Sequence, residues 1–332
     1  MRRPGMGCKN ILLLYTGGTI GMQMSADGLA PASGFEERVR AEQAKQNLTL
    51  PSWQFRALLP PIDSANMTQH NWLAMAAAIR ECVANGCDGV LLLHGTDTLA
   101  YSAAALSFLL LGLPVPVLLS GSMLPAGADN SDAWGNLFGA LNALADGVSN
   151  GVHLYFNQRL MHGARVSKLS SDDFDAFQVL PRPRQSERAE RIPAQLDYRQ
   201  VRQPVNLAVL PFYPGLQASH LRALLSTGVE GLLLECFGSG TGPSDNQDLL
   251  AVLREAHDNG VVIAAISQCA HGHVEFGVYA AGSQLASCGL ISAGGMTREA
   301  ALGKLFALLG AGLTQAETEY WFALDLCGER AD

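Results

Sequence analysis

The sequence contains no CxxC pair, and its seven cysteines (8, 82, 87, 236, 269, 288 and 327) are odd in number. A disulfide framework has little support in that pattern, which suits a reducing, cytoplasmic compartment. Long apolar runs are also missing: no stretch reaches transmembrane length without a Gly, Pro or polar break, so no membrane partner is expected. The opening Met1-Arg2-Arg3-Pro4 imitates the charged start of a signal peptide, but the apolar run Ile11 to Leu14 is too short for a signal core. Nor is there a basic patch. The 22 Lys and Arg are outnumbered by 30 Asp and Glu, for a net charge of -8, which argues against nucleic acid as the main partner. The densest arginine cluster, 182–191, is interleaved with Glu and Pro and reads as a solvated linker.

Several catalytic templates are absent as well. No GxSxG elbow occurs, so a Ser-His-Asp hydrolase lacks support. No lysine follows the glycines as a phosphate loop demands, and Gly17-Gly18-Thr19-Ile20-Gly21 is not the GxGxxG of a dinucleotide site. His271 and His273 stand two apart in a Gly-rich loop with no further ligand at metal spacing. No metal and no cofactor are expected.

What the chain does have is 332 residues, 48% of them hydrophobic, with 35 glycines: enough to bury a real core, and comfortable for two domains. Short apolar runs alternate with helical patterns, the signature of an α/β protein with mainly parallel strands. Strands are expected at Ile11–Tyr15, Gly89–His94, Val115–Ser120 and Val152–Phe156. Helices are expected at Thr68–Asn85, Thr98–Leu111 and Asp132–Ala145. Between Gln178 and Pro204, four prolines and six arginines interrupt the periodicity. Beyond, strands at 207–210, 231–235 and 261–267 alternate with helices near 218–226, 246–259 and 297–309. The expected organisation is a larger N-terminal catalytic α/β domain, 1–180, with a mainly parallel sheet flanked by helices. A linker follows over 181–206, then a smaller C-terminal α/β domain, 207–332, with a parallel sheet.

One feature recurs. Three Leu-rich strands each end in a turn of glycines and hydroxyls: Thr16-Gly17-Gly18-Thr19, Gly95-Thr96-Asp97-Thr98, and Gly238-Ser239-Gly240-Thr241. Ligands of open α/β sheets bind outside the carboxyl ends of the strands, where backbone N–H groups converge. Glycines admit a substrate close to those donors and threonines supply hydroxyls, an arrangement suited to a small anionic or amide substrate. Each turn alone is more often only a turn. Asp97 beside Thr96, and Lys168 in Arg165-Val166-Ser167-Lys168, are charged groups of the kind a threonine nucleophile needs nearby, although a loop lysine is ordinarily just solvated. The turns do not choose between Thr16 and Thr19.

These residues resemble the bacterial-type L-asparaginases, in particular the cytoplasmic type I branch to which mammalian cytosolic members are related. The resemblance runs along nearly the whole chain: Tyr15-Thr16-Gly17-Gly18-Thr19-Ile20-Gly21-Met22-Gln23, Asp63-Ser64, His94-Gly95-Thr96-Asp97-Thr98-Leu99-Ala100-Tyr101, Lys168 with Asp173-Phe174-Asp175-Ala176-Phe177, Gln268-Cys269 and Tyr279-Ala280-Ala281-Gly282. It implies hydrolysis of the L-asparagine side-chain amide to L-aspartate and ammonia through a β-aspartyl ester of Thr19. It assigns Thr96, Asp97 and Lys168 to proton handling. It gives the substrate α-ammonium to Asp63 and Asp97, and the α-carboxylate to Ser64. Backbone N–H groups near Thr19 and Thr96 would stabilise the oxyanion, each such donor being worth about 3 kcal/mol. The segment 21–34 would act as a mobile lid, and the protein would be a homodimer or homotetramer.

The chain departs from the family pattern at three places. The lid position that carries an assisting tyrosine in many relatives is Leu29, and Tyr279 is the residue from which a replacement hydroxyl is expected. The third turn has Thr241 where relatives often have asparagine. Glu235 occupies the place of an effector-binding arginine, so that form of allostery is expected to be absent or rebuilt. Two other readings compete. A glutaminase-asparaginase, or the amidase subunit of a tRNA-dependent amidotransferase, would use the same fold, but such subunits usually carry an extra N-terminal domain, and ten residues precede the first strand here. A non-catalytic amino-acid-binding protein would not need Thr19, Thr96, Asp97 and Lys168 together.

Overall fold

A computed structural model describes residues 7–25, 28–31, 33–183 and 186–330. The chain divides into two units, Met1–Val179 and Leu180–Asp332.

The first unit begins with β1 (Asn10–Gly17), in which Ile11 to Leu14 are buried. A continuous apolar run of this kind is what a parallel strand covered on both faces requires. A hairpin of β2 (Met22–Ser25) and β3 (Gly28–Pro31) follows, then α1 (Phe35–Lys45) and β4 (Ser52–Ile62). The helix α2 (Gln69–Ala84) starts after Thr68, whose backbone N–H donates to the Asn71 side chain at 2.8 Å. The alternation continues through β5 (Gly89–Leu93), α3 (Leu99–Leu109), β6 (Pro116–Ser120), α4 (Ala133–Asp146) and β7 (Gly151–Phe156). The antiparallel β8 (Arg159–His162) closes the sheet, and β9 (Val166–Lys168) and β10 (Phe177–Val179) form a separate antiparallel ribbon.

The strand order is β4-β1-β5-β6-β7-β8, parallel up to β7. From β1 the chain moves outward to β4, then returns past β1 to build β5, β6 and β7. The direction of winding therefore reverses between β1 and β5, which opens a crevice at their carboxyl ends. Leu13 pairs in register with Leu91 below it. Both are fully buried in a cluster with Tyr15, Ile20, Phe35, Leu118 and Leu137, each such leucine contributing about 1.5–3 kcal/mol.

The second unit holds a parallel sheet in chain order: β11 (Leu207–Pro211), β12 (Gly231–Cys236), β13 (Val262–Ser267) and β14 (Leu290–Ser292). Between and after these lie α5 (Ala218–Leu225), α6 (Gln247–Asp258), α7 (Ala280–Ala286), α8 (Arg298–Leu309) and α9 (Gln315–Ala323). Lys304 of α8 is fully buried. It donates to the Phe322 carbonyl at 3.1 Å and pairs with the equally buried Glu329, which also accepts the Leu326 and Cys327 backbone N–H groups at 3.0 and 2.8 Å.

The two-sheet α/β architecture agrees with the expectation from sequence. The solvated character expected of the arginine cluster does not hold at its first member. Arg182 is buried and donates to the carbonyls of Cys269, Met296 and Ala270 at 2.6, 2.7 and 3.2 Å. Three carbonyls converging on one planar guanidinium replace its hydration shell.

Candidate active site

The turn after β1 is built by two glycines. Gly18 has φ 87° and ψ 172°, a conformation essentially closed to other residues. A Cβ there would lie 2.5 Å from the Gly95 Cα. On Gly95, in turn, a Cβ would lie 2.6 Å from Ser64 Oγ and 3.3 Å from the Gly18 Cα. The turns after β1 and β5 thus meet backbone to backbone at the crevice, and the Ser64 side chain from the turn after β4 packs against Gly95. Thr98 ties the same corner from the other side, donating its hydroxyl to the Ser64 carbonyl at 2.8 Å.

The two threonines of the first turn differ sharply. Thr16 is 1% exposed and its hydroxyl donates to the Leu93 carbonyl at 2.9 Å, so its proton is committed to joining β1 to β5. Thr19 opens a single 3-10 turn, Thr19–Gly21, and is half-buried. Its hydroxyl makes no hydrogen bond among the described residues.

Lys168 ends β9 and spans the second turn. Its Nζ donates to Thr96 Oγ1 at 3.0 Å and to Asp97 Oδ1 at 2.8 Å. The lysine side chain is 19% exposed and that of Asp97 64%. An ion pair so open to solvent contributes little to stability. Its consequence is local: the hydroxyl of the buried Thr96 accepts from an amine that the Asp97 carboxylate also holds. Ser64 is buried, whereas Asp63 is exposed, its carboxylate accepting the Ala65 N–H at 3.2 Å.

His94 carries a network that the sequence does not reveal. It is fully buried, and burial pulls its pKa down to about 4, so the ring is neutral. Nδ1 lies 2.6 Å from the Gly95 carbonyl, which can only accept, so the ring proton is assigned to Nδ1. Nε2 is then bare and accepts the Ser102 hydroxyl at 2.8 Å, while Ser102 Oγ accepts Trp72 Nε1–H at 2.9 Å. The chain fixes the peptide that links Gly95 to Thr96. The Gly121 turn after β6 packs onto the His94 carbonyl and the Thr96 methyl, making a further wall that sequence reading missed. Ser102 and Trp72 lie on different helices, so only the folded structure shows their pairing.

Three of the remaining expected residues, Tyr279, Thr241 and Glu235, belong to the second unit. Tyr279 precedes α7 in the second unit and is 60% exposed. The Thr241 hydroxyl donates to Phe237 at 3.2 Å, closing its own turn. Glu235 is buried and pairs with Arg298, whose Nη2 donates to Oε2 at 3.0 Å. The segment 21–34, expected as a lid, contains the β2–β3 hairpin; residues 26, 27 and 32, and the side chain of Leu29, lie outside the described residues.

Residues 10–199 match the family model "Asparaginase, N-terminal", and residues 206–322 match "Glutaminase/Asparaginase C-terminal domain". L-asparaginase 1 of Escherichia coli strain K12 is 37% identical over 97% of this chain and 98% of its own. The crystal structure of L-asparaginase I from Vibrio cholerae superimposes with a TM-score of 0.84 at 34% identity, covering 98% of this chain and 99% of that one. The thermostable L-asparaginase from Thermococcus kodakarensis gives 0.83 at 30% identity, covering 97% and 99%. With both halves matched and relatives aligned end to end, the chain belongs to the asparaginase family.

Proposed function

We propose that this chain hydrolyses the side-chain amide of L-asparagine to L-aspartate and ammonia, with Thr19 as the nucleophile. The observation that carries the reading is the double hydrogen bond of Lys168 to Thr96 and Asp97, on a turn in main-chain contact with the Thr19 turn. Thr19 Oγ attacks the amide carbon, the C–N bond breaks, and ammonia leaves with the proton surrendered by the hydroxyl. Water then attacks the resulting β-aspartyl ester, releasing aspartate and restoring Thr19. In the second step the proton of the attacking water passes to the Thr96 hydroxyl as the Thr96 proton passes to Thr19 Oγ, which leaves as the ester C–O bond breaks; Lys168, paired with Asp97, holds the Thr96 oxygen in place for this relay. Asp63 and Asp97, acidic and exposed, suit the substrate α-ammonium, and Ser64 its α-carboxylate. The odd number of cysteines, with no CxxC pair, suits a cytoplasmic setting, and a homodimer or homotetramer is the proposed assembly.

The test is ammonia release from asparagine and from glutamine by wild type, Thr19→Ala and Lys168→Met, with Tyr279→Phe included for the assisting role that its motif implies. Wild type turns over asparagine, and Thr19→Ala and Lys168→Met do not. An inactive wild type, or a Thr19→Ala enzyme with ordinary kcat, overturns the reading. An unchanged kcat in Tyr279→Phe removes that residue from it.

A further inference from the structure

The nucleophile's turn is gripped from outside the crevice. Its two exit carbonyls go to different elements: Ile20 O accepts the Ala126 N–H at 3.3 Å, and Gly21 O accepts Arg38 Nη2 at 2.7 Å. Gly21 is a pivotal residue. It closes the 3-10 turn, its N–H donating to the Gly18 carbonyl at 3.2 Å, and β2 of the hairpin begins at the next residue.

Arg38 reaches Gly21 from α1 on an aromatic platform. Its guanidinium lies 5.2 Å from the centroid of the Phe35 ring, and Phe35 stacks on Tyr15 at 4.8 Å. Both rings are 3% exposed. The platform closes back on the same glycine, for a Cβ on Gly21 would lie 2.7 Å from the Tyr15 ring carbon that bears the hydroxyl. Phe35, Arg38 and Tyr15 thus hold Gly21 from two sides, one by a charged hydrogen bond and one by contact. Arg38 Nε is buried and has no hydrogen-bond partner among the described residues. A buried, unpartnered donor disfavours the folded state, so the guanidinium is not placed there for stability alone.

We infer that Arg38 is a positioning residue for Thr19: by holding the Gly21 carbonyl it fixes the 3-10 turn that aims the nucleophilic hydroxyl and the root from which the hairpin departs. The inference rests on Thr19 being the nucleophile. It implies a division of labour. The groups proposed to hold the substrate's α-substituents, Asp63, Ser64 and Asp97, receive no hydrogen bond from Arg38. Loss of Arg38 therefore spoils attack and leaves ground-state binding intact.

The experiment measures kcat and KM for asparagine, together with Tm, in wild type, Thr19→Ala, Arg38→Met, Arg38→Lys and Phe35→Leu. Arg38→Met, nearly isosteric along its stem, should lower kcat by 10-fold or more (on the order of one decade for losing a charged positioning bond) with KM within about 3-fold of wild type. Arg38→Lys retains a charged donor able to reach Gly21 and should recover most of the lost kcat, which a purely packing role does not predict. Should Arg38→Met fail to fold, Phe35→Leu reads the same split, because it removes the platform while leaving the arginine. An Arg38→Met enzyme with wild-type kcat overturns the inference, whatever its Tm. So does a rise in KM at constant kcat, or Arg38→Lys no better than Arg38→Met. An active Thr19→Ala enzyme overturns the assignment of the nucleophile instead, so the two failures are separable.

Discussion

Replacing Gly18 with alanine is the most informative single perturbation, because it strikes the contact that joins the turns carrying Thr19 and Thr96. The added Cβ would lie 2.5 Å from the Gly95 Cα. Carbon atoms in contact settle at about 3.5–4.0 Å, so the turns must part by roughly 1 Å. The backbone cannot relieve this by rotating, since φ 87° and ψ 172° lie where an L side chain is already disfavoured by about 1–3 kcal/mol. Nor can a neighbour swing aside, because the obstructing atoms are main chain anchored by β5. A displacement of about 1 Å between reacting groups typically costs on the order of 100-fold in rate, or about 2.7 kcal/mol of barrier. The assay is ammonia release from asparagine, giving kcat/KM, with thermal unfolding in parallel. Gly135→Ala is the control: this glycine sits on the exposed face of α4 with nothing within 4 Å of an added Cβ, so alanine there should be neutral or slightly stabilising. If Gly18→Ala retains kcat/KM within 3-fold of wild type and melts at the same temperature, the turns are not in the close contact described.

Acid should destabilise the first unit through His94. Its folded pKa, about 4, lies below the ordinary 6.5, so the unfolded chain binds a proton that the folded chain refuses. The associated stability is complete above pH 6.5 and lost as pH falls toward 4, by at most about 3 kcal/mol; a His94→Gln protein whose stability falls as steeply over that window refutes this. Lys304→Met should cost about 3–5 kcal/mol, because it strands the buried Glu329 carboxylate. Loss of Tm by roughly 10 °C is expected by calorimetry, and an unchanged Tm refutes the pairing. Ser102→Ala removes the donor to His94 Nε2 and leaves Trp72 Nε1 without its acceptor; stability should fall by about 1–3 kcal/mol in denaturant titration, and no loss contradicts the network. With Glu235 tied to Arg298, the rate should rise hyperbolically with asparagine concentration, and a sigmoidal curve refutes that expectation.

How much of this was legible in the sequence depended on whether each feature was local. The turns after β1 and β5 were visible because glycine and hydroxyl residues follow runs of leucine, and a strand buried on both faces writes itself as such a run. β4 was not visible. It is an edge strand, mostly partly or fully exposed, and it ends in Pro60-Pro61, which cannot donate to a ladder. The hairpin and the β9–β10 ribbon were hidden for a related reason: strands of three or four residues carry no periodicity to read. Thr16 and Thr19 stood equal in sequence, and resemblance, not pattern, selected Thr19. Their difference is tertiary, because the Thr16 partner is a carbonyl on the neighbouring strand. Arg182 misled because a charged residue among prolines ordinarily faces water, and its three carbonyl partners lie 87 to 114 residues further along the chain. The His94 chain and the Arg38 grip join residues from separate elements, and no spacing rule connects them.

The main-chain contact between Gly18 and Gly95 also constrains how this chain can change length. Its geometry is inherited from the register of β1 on β5, where Leu13 faces Leu91. Removing one residue from either strand would turn its leucines to the opposite face. Removing two would restore the facing but withdraw the turn by about 7 Å, leaving the Thr19 turn and the Thr96 turn unable to meet. The stretches from Ile11 to Thr19 and from Val90 to Thr96 therefore form rulers of fixed length.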